Sequence, residues 1–170
     1  MSPTDADRIA HLTHCGEAAA LPGQPTLLYD ALSEATKALV GHKLFTMMFL
    51  DEARNEAARV YSNQPDAYPV GGRKQLGEMT GWGHHVLDGR QPYLGRTEAD
   101  IKWAFFDYEL IISLGCGSVI NIPVIWDGKI LGTMNLLDAE NAYSEQDIEP
   151  LMPFAPLLIA PFLGAINDAD

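Results

Sequence analysis

The spacing of apolar positions divides the first half of the chain into one helix and two strands. Apolar residues recur at helical spacing from Pro25 to Val40, and Gly41 follows where a helix would end. A continuous apolar run from Lys43 to Asp51 predicts a buried strand, and Glu56 to Ser62 predicts its return strand in a hairpin. Residues 63–72 are rich in proline and glycine and predict a loop.

The second half alternates short helices and strands. In chain order we expect a weak helix interrupted by glycines at about 75–88, a short strand at 91–94 and a helix at 98–114. A two-stranded hairpin at 115–138 and a last helix from 144 onward follow. Thr97 is placed to cap the middle helix, and Ser144 with Asp147 resembles a capping box. This order predicts an α+β domain with an antiparallel sheet. Residues 1–24 are expected to form an arm or short helix before a single domain over residues 25–170.

Charge and cysteine content narrow the partners and the compartment. The formal charge of −12 and a pI near 4.6 argue against a nucleic-acid partner, because a phosphate backbone needs a basic patch. Two cysteines are too few for a disulfide framework and no secretory signal opens the chain, so we expect a cytoplasmic protein. The most apolar segment, Pro150 to Gly164, is short and holds four prolines, so we expect no membrane span.

Three motifs in the last third carry a family resemblance. They are residues 118–124 (SVINIPV), residues 127–136 (DGKILGTMNL) and residues 143–147 (YSEQD). Together with the element order they resemble a GAF domain over roughly residues 25–166. The resemblance implies an antiparallel sheet with the terminal helices on one face and a ligand pocket on the other. It also implies a small organic ligand and a homodimer formed through the first and last helices.

Polar residues on the hairpin are the first ligand-binding candidates. Strand periodicity places Asn121 on one face of its strand, and Thr133 with Asn135 on one face of the next. An odd-length turn around Asp127-Gly128 would put all three on the same side, whereas a strict two-residue turn would separate Asn121 from Asn135. Either they face a ligand, or they satisfy backbone groups of neighbouring loops and helix ends.

Aromatic and charged residues outside the hairpin complete the expected pocket. Trp103 and Phe106 share a helical face with Leu110 and, in a GAF-like arrangement, would form a lid, although an aromatic stripe is usually core. Three further residues are ligand-binding candidates. Asp107 lies beside that helical face, and Tyr68 and Arg73 lie in or near the 63–72 loop.

A second hypothesis is a cysteine-dependent enzyme that transforms a small polar or heterocyclic compound. Cys116 lies between two glycines that would leave its sulfur uncovered, and His85 is the candidate base that would depress its pKa. The otherwise tempting methionine sulfoxide reductase activity is rejected. That branch of the family holds its substrate with acidic residues, where this chain has Val119, Asn135 and Leu137.

Neither a metal nor a cofactor is expected. Adjacent histidines such as His84-His85 point about 100° apart on a helix, and no carboxylate or cysteine cluster completes a site around them. Three functions therefore stay open. The first is a ligand-binding sensory module, the second is the cysteine-dependent enzyme, and the third is a dimeric interaction module with a vestigial pocket.

Overall fold

A six-stranded antiparallel sheet forms the centre of the protein, in a computed structural model that describes residues 3–71, 73–77 and 79–168. The strands are β1 (Leu44–Asp51), β2 (Glu56–Ser62), β3 (Lys74–Gln75), β4 (Tyr93–Gly95), β5 (Ser118–Trp126) and β6 (Lys129–Asp138). Their order across the sheet is β3-β2-β1-β6-β5-β4. The long central strands β1, β6 and β5 therefore carry most of both faces.

Helices precede, interrupt and follow these strands. They are α1 (Asp5–Ala19), α2 (Thr26–Leu39), α3 (Gly81–Gly83), α4 (Glu98–Ala104), α5 (Tyr108–Ser113) and α6 (Ile159–Asn167). The short α3 continues into a π-helical turn, His84–Asp88. Two 3₁₀ segments, Glu145–Asp147 and Glu149–Leu158, lead into α6.

One face of the sheet packs against the helices at the two ends of the chain. Side chains alternate along each strand, so Phe45 and Met47 of β1 share this face with Ile120 and Ile122 of β5. They form one buried cluster with apolar residues of α1, α2, the 3₁₀ segment and α6. The predicted α+β architecture with terminal helices on one face is confirmed.

The first 24 residues contain a helix of 15 residues, α1, which packs on α2. Thr4 begins it with a capping box, because its Oγ1 accepts from the Asp7 N–H and the Asp7 carboxylate accepts from the Thr4 N–H. Cys15 is completely buried in the core cluster. This buried contact anchors α1 to the rest of the fold.

The last helix is built in an unusual way because prolines recur along it. Ser144 and Asp147 form the predicted capping box, and the next ten residues, Glu149–Leu158, are 3₁₀-helical with prolines inside. By length and composition alone, the helical stretch Glu149–Asn167 is apolar enough to cross a membrane. Phe154, Leu158 and Phe162 of this stretch are fully buried against the sheet, so one side of the stretch is part of the core.

Two predicted helices are shorter than the sequence pattern indicates. Among the described residues of the region 75–88, Gln75 lies in β3 and only those from Gly81 onward are helical, since glycines interrupt the pattern and each weakens a helix. The predicted helix from Glu98 to about Leu114 is divided, because Phe105 has extended backbone angles and α5 begins only at Tyr108. The prediction that Trp103, Phe106 and Leu110 share one helical face is therefore wrong.

Candidate functional site

The face of the sheet that points away from the terminal helices carries the polar residues of the hairpin. Asn121 pairs directly with Asn135 across β5 and β6, and Asn135 pairs with Thr46 on β1. Directly opposed residues lie on the same face, so these three side chains meet above the centre of the sheet. All three are nearly buried, with Asn121 only 1% exposed.

The hairpin reaches this register by a route that neither predicted turn describes. Trp126 pairs with Lys129, so the turn has two residues, Asp127 and Gly128, both with positive φ (50° and 70°). The pairing then shifts by one residue at Leu131, which has no partner on β5. This bulge restores the parity that a two-residue turn would have reversed, and Asn121, Thr133 and Asn135 share a face.

A chain of hydrogen bonds links the buried amides. The indole Nε1–H of Trp82 donates to Asn121 Oδ1 (2.9 Å), Asn121 Nδ2 donates to Asn135 Oδ1 (2.7 Å), and Asn135 Nδ2 donates to Thr46 Oγ1 (3.2 Å). An indole nitrogen can only donate, so Trp82 fixes which end of the Asn121 amide faces it. The orientation of Asn135 follows from that of Asn121.

These residues form the floor of a cavity of about 130 Å³. Its lining, floor included, combines aliphatic and aromatic side chains with the polar side chains of Thr, Asn, Arg, Asp and Tyr residues. The lining residues are Thr46, Met48, Ala57, Arg59, Tyr68, Gly71, Trp82, Phe105, Phe106, Asp107, Ile111, Asn121, Asn135 and Leu137. Five of the eight predicted ligand-binding residues are among them, namely Tyr68, Phe106, Asp107, Asn121 and Asn135.

Two loops meet at the cavity through a hydrogen bond between predicted site residues. The Tyr68 hydroxyl donates to Asp107 Oδ2 (2.6 Å), and the Arg59 guanidinium lies 3.7 Å from the centroid of the Tyr68 ring. Arg59 also donates to the Pro69 carbonyl (2.7 Å). Burial, and then the contact with Asp107, raise the pKa of Tyr68, so its hydroxyl stays protonated and remains the donor.

Three predicted ligand-binding residues do not line this cavity. Trp103 is 56% exposed and packs against Tyr93, with ring centroids 5.6 Å apart. Arg73 is held by ion pairs to Asp51 and Glu56. Thr133 lies on the cavity face of β6 but is completely buried outside the cavity.

Cys116 does not have the surroundings that a nucleophile requires. It is only 1% exposed, in a cluster with Leu44, Ile101 and Val119, so the prediction that flanking glycines uncover its sulfur is wrong. Burial, with a further contribution from Asp138, raises the pKa of its thiol to about 11. A thiol of this kind is protonated at neutral pH and is a poor nucleophile.

His85 is engaged elsewhere. Its Nε2 lies 2.8 Å from the Pro92 carbonyl oxygen, and its ring packs edge-on against Tyr93. No hydrogen bond joins it to Cys116 within the described ranges. Among all the residues that the structure describes, no group of three or more His, Cys, Asp or Glu side chains could hold a metal ion.

Two residues that sequence reasoning missed complete the site, Arg59 and Trp82. Arg59 could have been found from strand alternation, because it faces the same side of β2 as Ala57. Trp82 stands between two glycines, a pattern that gives no indication of its direction. Its position depends on the short α3 and the π-helical turn that follows.

Comparisons with known proteins agree with the overall fold. A family model described as a GAF domain matches residues 24–158. The GAF domain from a phosphoenolpyruvate-protein phosphotransferase of Coxiella burnetii superposes with a TM-score of 0.72 at 17% identity, covering 98% of this chain and 99% of that one. The corresponding domain from Acinetobacter gives 0.69 at 14% identity, covering 96% of each chain.

A third similar structure is a chromophore-binding domain. The chromophore-binding domain of a bacteriophytochrome from R. palustris superposes with a TM-score of 0.65 at 9% identity, covering 97% of this chain and 62% of that one. At such identities the likeness of all three structures shows the fold alone. A comparison with curated protein sequences found no match.

Proposed function

The chain belongs to the GAF domain family, and on this premise we propose that it is a sensory module that binds a small organic molecule in the Asn121–Asn135 cavity. The observation that carries the proposal is the pair of buried amides on the cavity floor. Placing amides in an apolar interior costs free energy that leucine or valine would not. A binding role for these amides accounts for that cost.

The amides keep unused hydrogen-bonding capacity. Each asparagine Nδ2 has two N–H groups, and each uses one of them in the chain that runs from Trp82 to Thr46. The second N–H of Asn121 and of Asn135 has no protein partner within the described residues. These groups can bind a polar edge of a ligand while the aromatic walls cover its flat faces.

The charges at the cavity favour a ligand without net charge. Arg59 and Asp107 are the charged side chains among its lining residues, and they have opposite signs. Arg59 stacks on Tyr68 and Asp107 accepts from the same residue, so each is already partly neutralised by the protein. A neutral ligand would leave both of these contacts intact.

The fold neighbours support a sensory role. They include domains of two-component sensor histidine kinases and a region of a methyl-accepting chemotaxis protein, besides the bacteriophytochrome domain that binds a chromophore. In those proteins a domain of this fold is part of a sensor. By analogy, we infer that ligand binding here is read by a partner or by another part of a longer chain.

We also propose a homodimer formed through the first and last helices, in a cytoplasmic protein. Met152 is 42% exposed, and Ile159, Leu163 and Ile166 of the last helix are only half-buried in the single chain. A second copy would cover them. Light scattering on the purified protein measures its oligomeric state, and a monomer at all concentrations would contradict the proposed dimer.

The proposed cytoplasmic location agrees with the state of the cysteines. The two cysteines are unpaired, as expected in a reducing compartment.

The binding proposal is tested with a panel of small neutral compounds and thermal unfolding. Compounds that bind the cavity should raise the melting temperature of the wild type and have a much smaller effect on Asn135→Leu. Asn167→Leu is the matched control, because it makes the same change at a residue that is exposed at the end of α6. Stabilisation that is equal in the wild type and Asn135→Leu would contradict the proposed site.

No observation favours the cysteine-dependent enzyme over this module. The thiol of Cys116 is buried and its pKa is raised, whereas the enzyme needs an accessible thiolate. The candidate base His85 is engaged with Pro92 and Tyr93. The binding role rests instead on groups that the cavity brings together.

A further inference from the structure

Trp82 occupies the position in which a ligand would make its first hydrogen bond. Its indole ring lines the cavity and its Nε1–H donates to Asn121 Oδ1, the first acceptor of the amide chain. The cavity that remains, about 130 Å³, is smaller than the roughly 300–1,000 Å³ typical of pockets for drug-sized ligands. A protein side chain therefore fills part of the volume that a ligand needs.

A second polar group near Trp82 is buried without a partner. Thr133 is 0% exposed, and its Oγ1 has no hydrogen bond within the described residues. It lies two positions from Asn135 on the same face of β6 and pairs with Met48 of β1. Met48 packs in the same cluster as Trp82 and Val86, from the segment that covers this part of the sheet.

A buried hydroxyl without a partner has given up its hydrogen bonds to water, and native proteins seldom keep one without a reason. The hydroxyl of Thr133 and the side-chain Oδ1 of Asn121 belong to neighbouring strands on one face, where Thr133 pairs with Pro123 and Asn121 pairs with Asn135. A flat ligand lying against this face could reach both. Trp82 satisfies only the first of them.

The segment that carries Trp82 is a short and irregular helix. The α-helical part, Gly81–Gly83, has three residues and passes directly into the π-helical turn His84–Asp88. Glycines flank Trp82 on both sides, and Gly89 follows the turn. Single π-helical turns are rare and frequently occur at functional sites.

We propose that Trp82 is a displaceable stand-in for the ligand, and that the ligand is a planar heteroaromatic compound with an N–H donor for Asn121 and a second ring nitrogen for Thr133. Binding moves the Trp82 side chain out of the cavity and replaces its N–H by that of the ligand. The ligand also supplies the acceptor that the Thr133 hydroxyl lacks. This inference rests on the proposed function, because it names the ligand class of the same site.

The displacement is tested on the wild-type protein labelled with 5-fluorotryptophan. Benzimidazole is the probe, since it is flat, neutral near pH 7.5 and has both an N–H and a second ring nitrogen. In ¹⁹F NMR its addition should shift the Trp82 signal toward that of a solvent-exposed tryptophan. The signal of Trp126, which is 54% exposed at the end of the hairpin, is the internal control and should not move. A Trp82 signal that stays unchanged up to the solubility limit of benzimidazole overturns the proposal.

Removing Trp82 should improve binding of the probe. In Trp82→Ala the tethered competitor is absent, and benzimidazole should bind at least about tenfold more tightly than to the wild type. Benzofuran lacks the N–H and should bind this variant about tenfold more weakly than indole, because Asn121 Oδ1 would be left without a donor. Trp82→Phe provides the same comparison if the alanine variant does not fold. Trp126→Ala, outside the cavity at the end of β5, is the control and should leave the affinity unchanged.

The role of Thr133 is tested by comparing benzimidazole with indole, which lacks the second ring nitrogen. Benzimidazole should bind severalfold more tightly than indole to Trp82→Ala, and adding Thr133→Val should abolish this preference. A preference that survives Thr133→Val overturns the assignment of Thr133. If a panel compound stabilises the wild type but not Asn135→Leu and leaves the Trp82 signal in place, the proposed function stands and this inference fails.

Discussion

Replacing Gly132 by alanine should destabilise the protein strongly, because α6 and β1 approach the backbone of β6 at this residue. A Cβ built on Gly132 would lie 2.1 Å from the Met48 carbonyl oxygen, 2.6 Å from a ring carbon of Phe162 and 2.8 Å from the Phe49 Cα. Contacts of a Cβ below 3.0 Å are essentially never seen in proteins. Two of the three atoms belong to the backbone of β1, which cannot rotate away.

The expected cost follows from these distances. Overpacking a core typically costs about 1–3 kcal/mol when side chains can adjust. At Gly132 the strands must also separate by about 1 Å, which weakens the hydrogen bonds between β1 and β6, each with a net contribution of about 1 kcal/mol. We expect Gly132→Ala to lower the free energy of unfolding by about 3–5 kcal/mol. For a chain of 170 residues this corresponds to a melting temperature lower by roughly 6–20 °C.

Gly16→Ala is the matched control for the same chemical change. Gly16 lies inside α1, and a Cβ built there meets nothing within 4 Å. Alanine should therefore stabilise this helix by about 0.5–1 kcal/mol. Urea unfolding followed by circular dichroism measures both variants. A Gly132→Ala protein within about 1 kcal/mol of the wild type would refute the close approach of α6 and β1 to β6.

Three further predictions concern buried polar groups. Burial lowers the pKa of His42 below its ordinary 6.5, so folding favours the neutral ring. The free energy of unfolding should therefore fall as the pH drops below about 6.5. Urea unfolding at several pH values measures this, and an equal dependence of the unfolding free energy on pH in the wild type and His42→Gln would contradict it. The thiol of Cys116, with its pKa raised to about 11, should react with a maleimide far more slowly in the folded protein than in urea at neutral pH, and labelling at the rate of a free thiol would disprove its burial. Thr133→Val should stabilise the protein without ligand by about 1–3 kcal/mol, because the Thr133 hydroxyl has no partner among the described residues. Thr46→Val should destabilise the protein, because Thr46 accepts from Asn135. Calorimetry measures both variants, and a stability change of the same sign in both would argue against these hydrogen bonds.

Local patterns predicted five of the six strands, because the signals for these strands lie in neighbouring residues, and they missed the two-residue β3. The bounds of β2, Glu56–Ser62, agree with the sequence prediction, and β1 differs from its prediction by one residue. The Asp127-Gly128 turn and the Ser144 capping box also depend on neighbouring residues alone. Each of these features is decided within about four residues along the chain.

Long-range contacts decided what the patterns missed. The helix predicted from Glu98 to about Leu114 breaks at Phe105, and just beyond the break Asp107 accepts from Tyr68, which is 39 residues away in the sequence. The break turns Trp103 out of the cavity while Phe106 and Asp107 line it. Helical periodicity contains no information about a partner on another loop.

The bulge at Leu131 determines the chemistry of the cavity. With a two-residue turn and no bulge, Thr133 and Asn135 would point toward the helices, in the places that Met134 and Leu136 now occupy in the apolar core against α2 and α6. Their polar groups would then be buried in a cluster of apolar side chains, at the cost of unpaired amides and hydroxyls. The bulge instead gathers the polar positions of β1, β5 and β6 on one face, where the indole of Trp82 is the group that meets them. A change that removes the bulge should therefore abolish the site and destabilise the core together, since one register shift moves both sets of side chains.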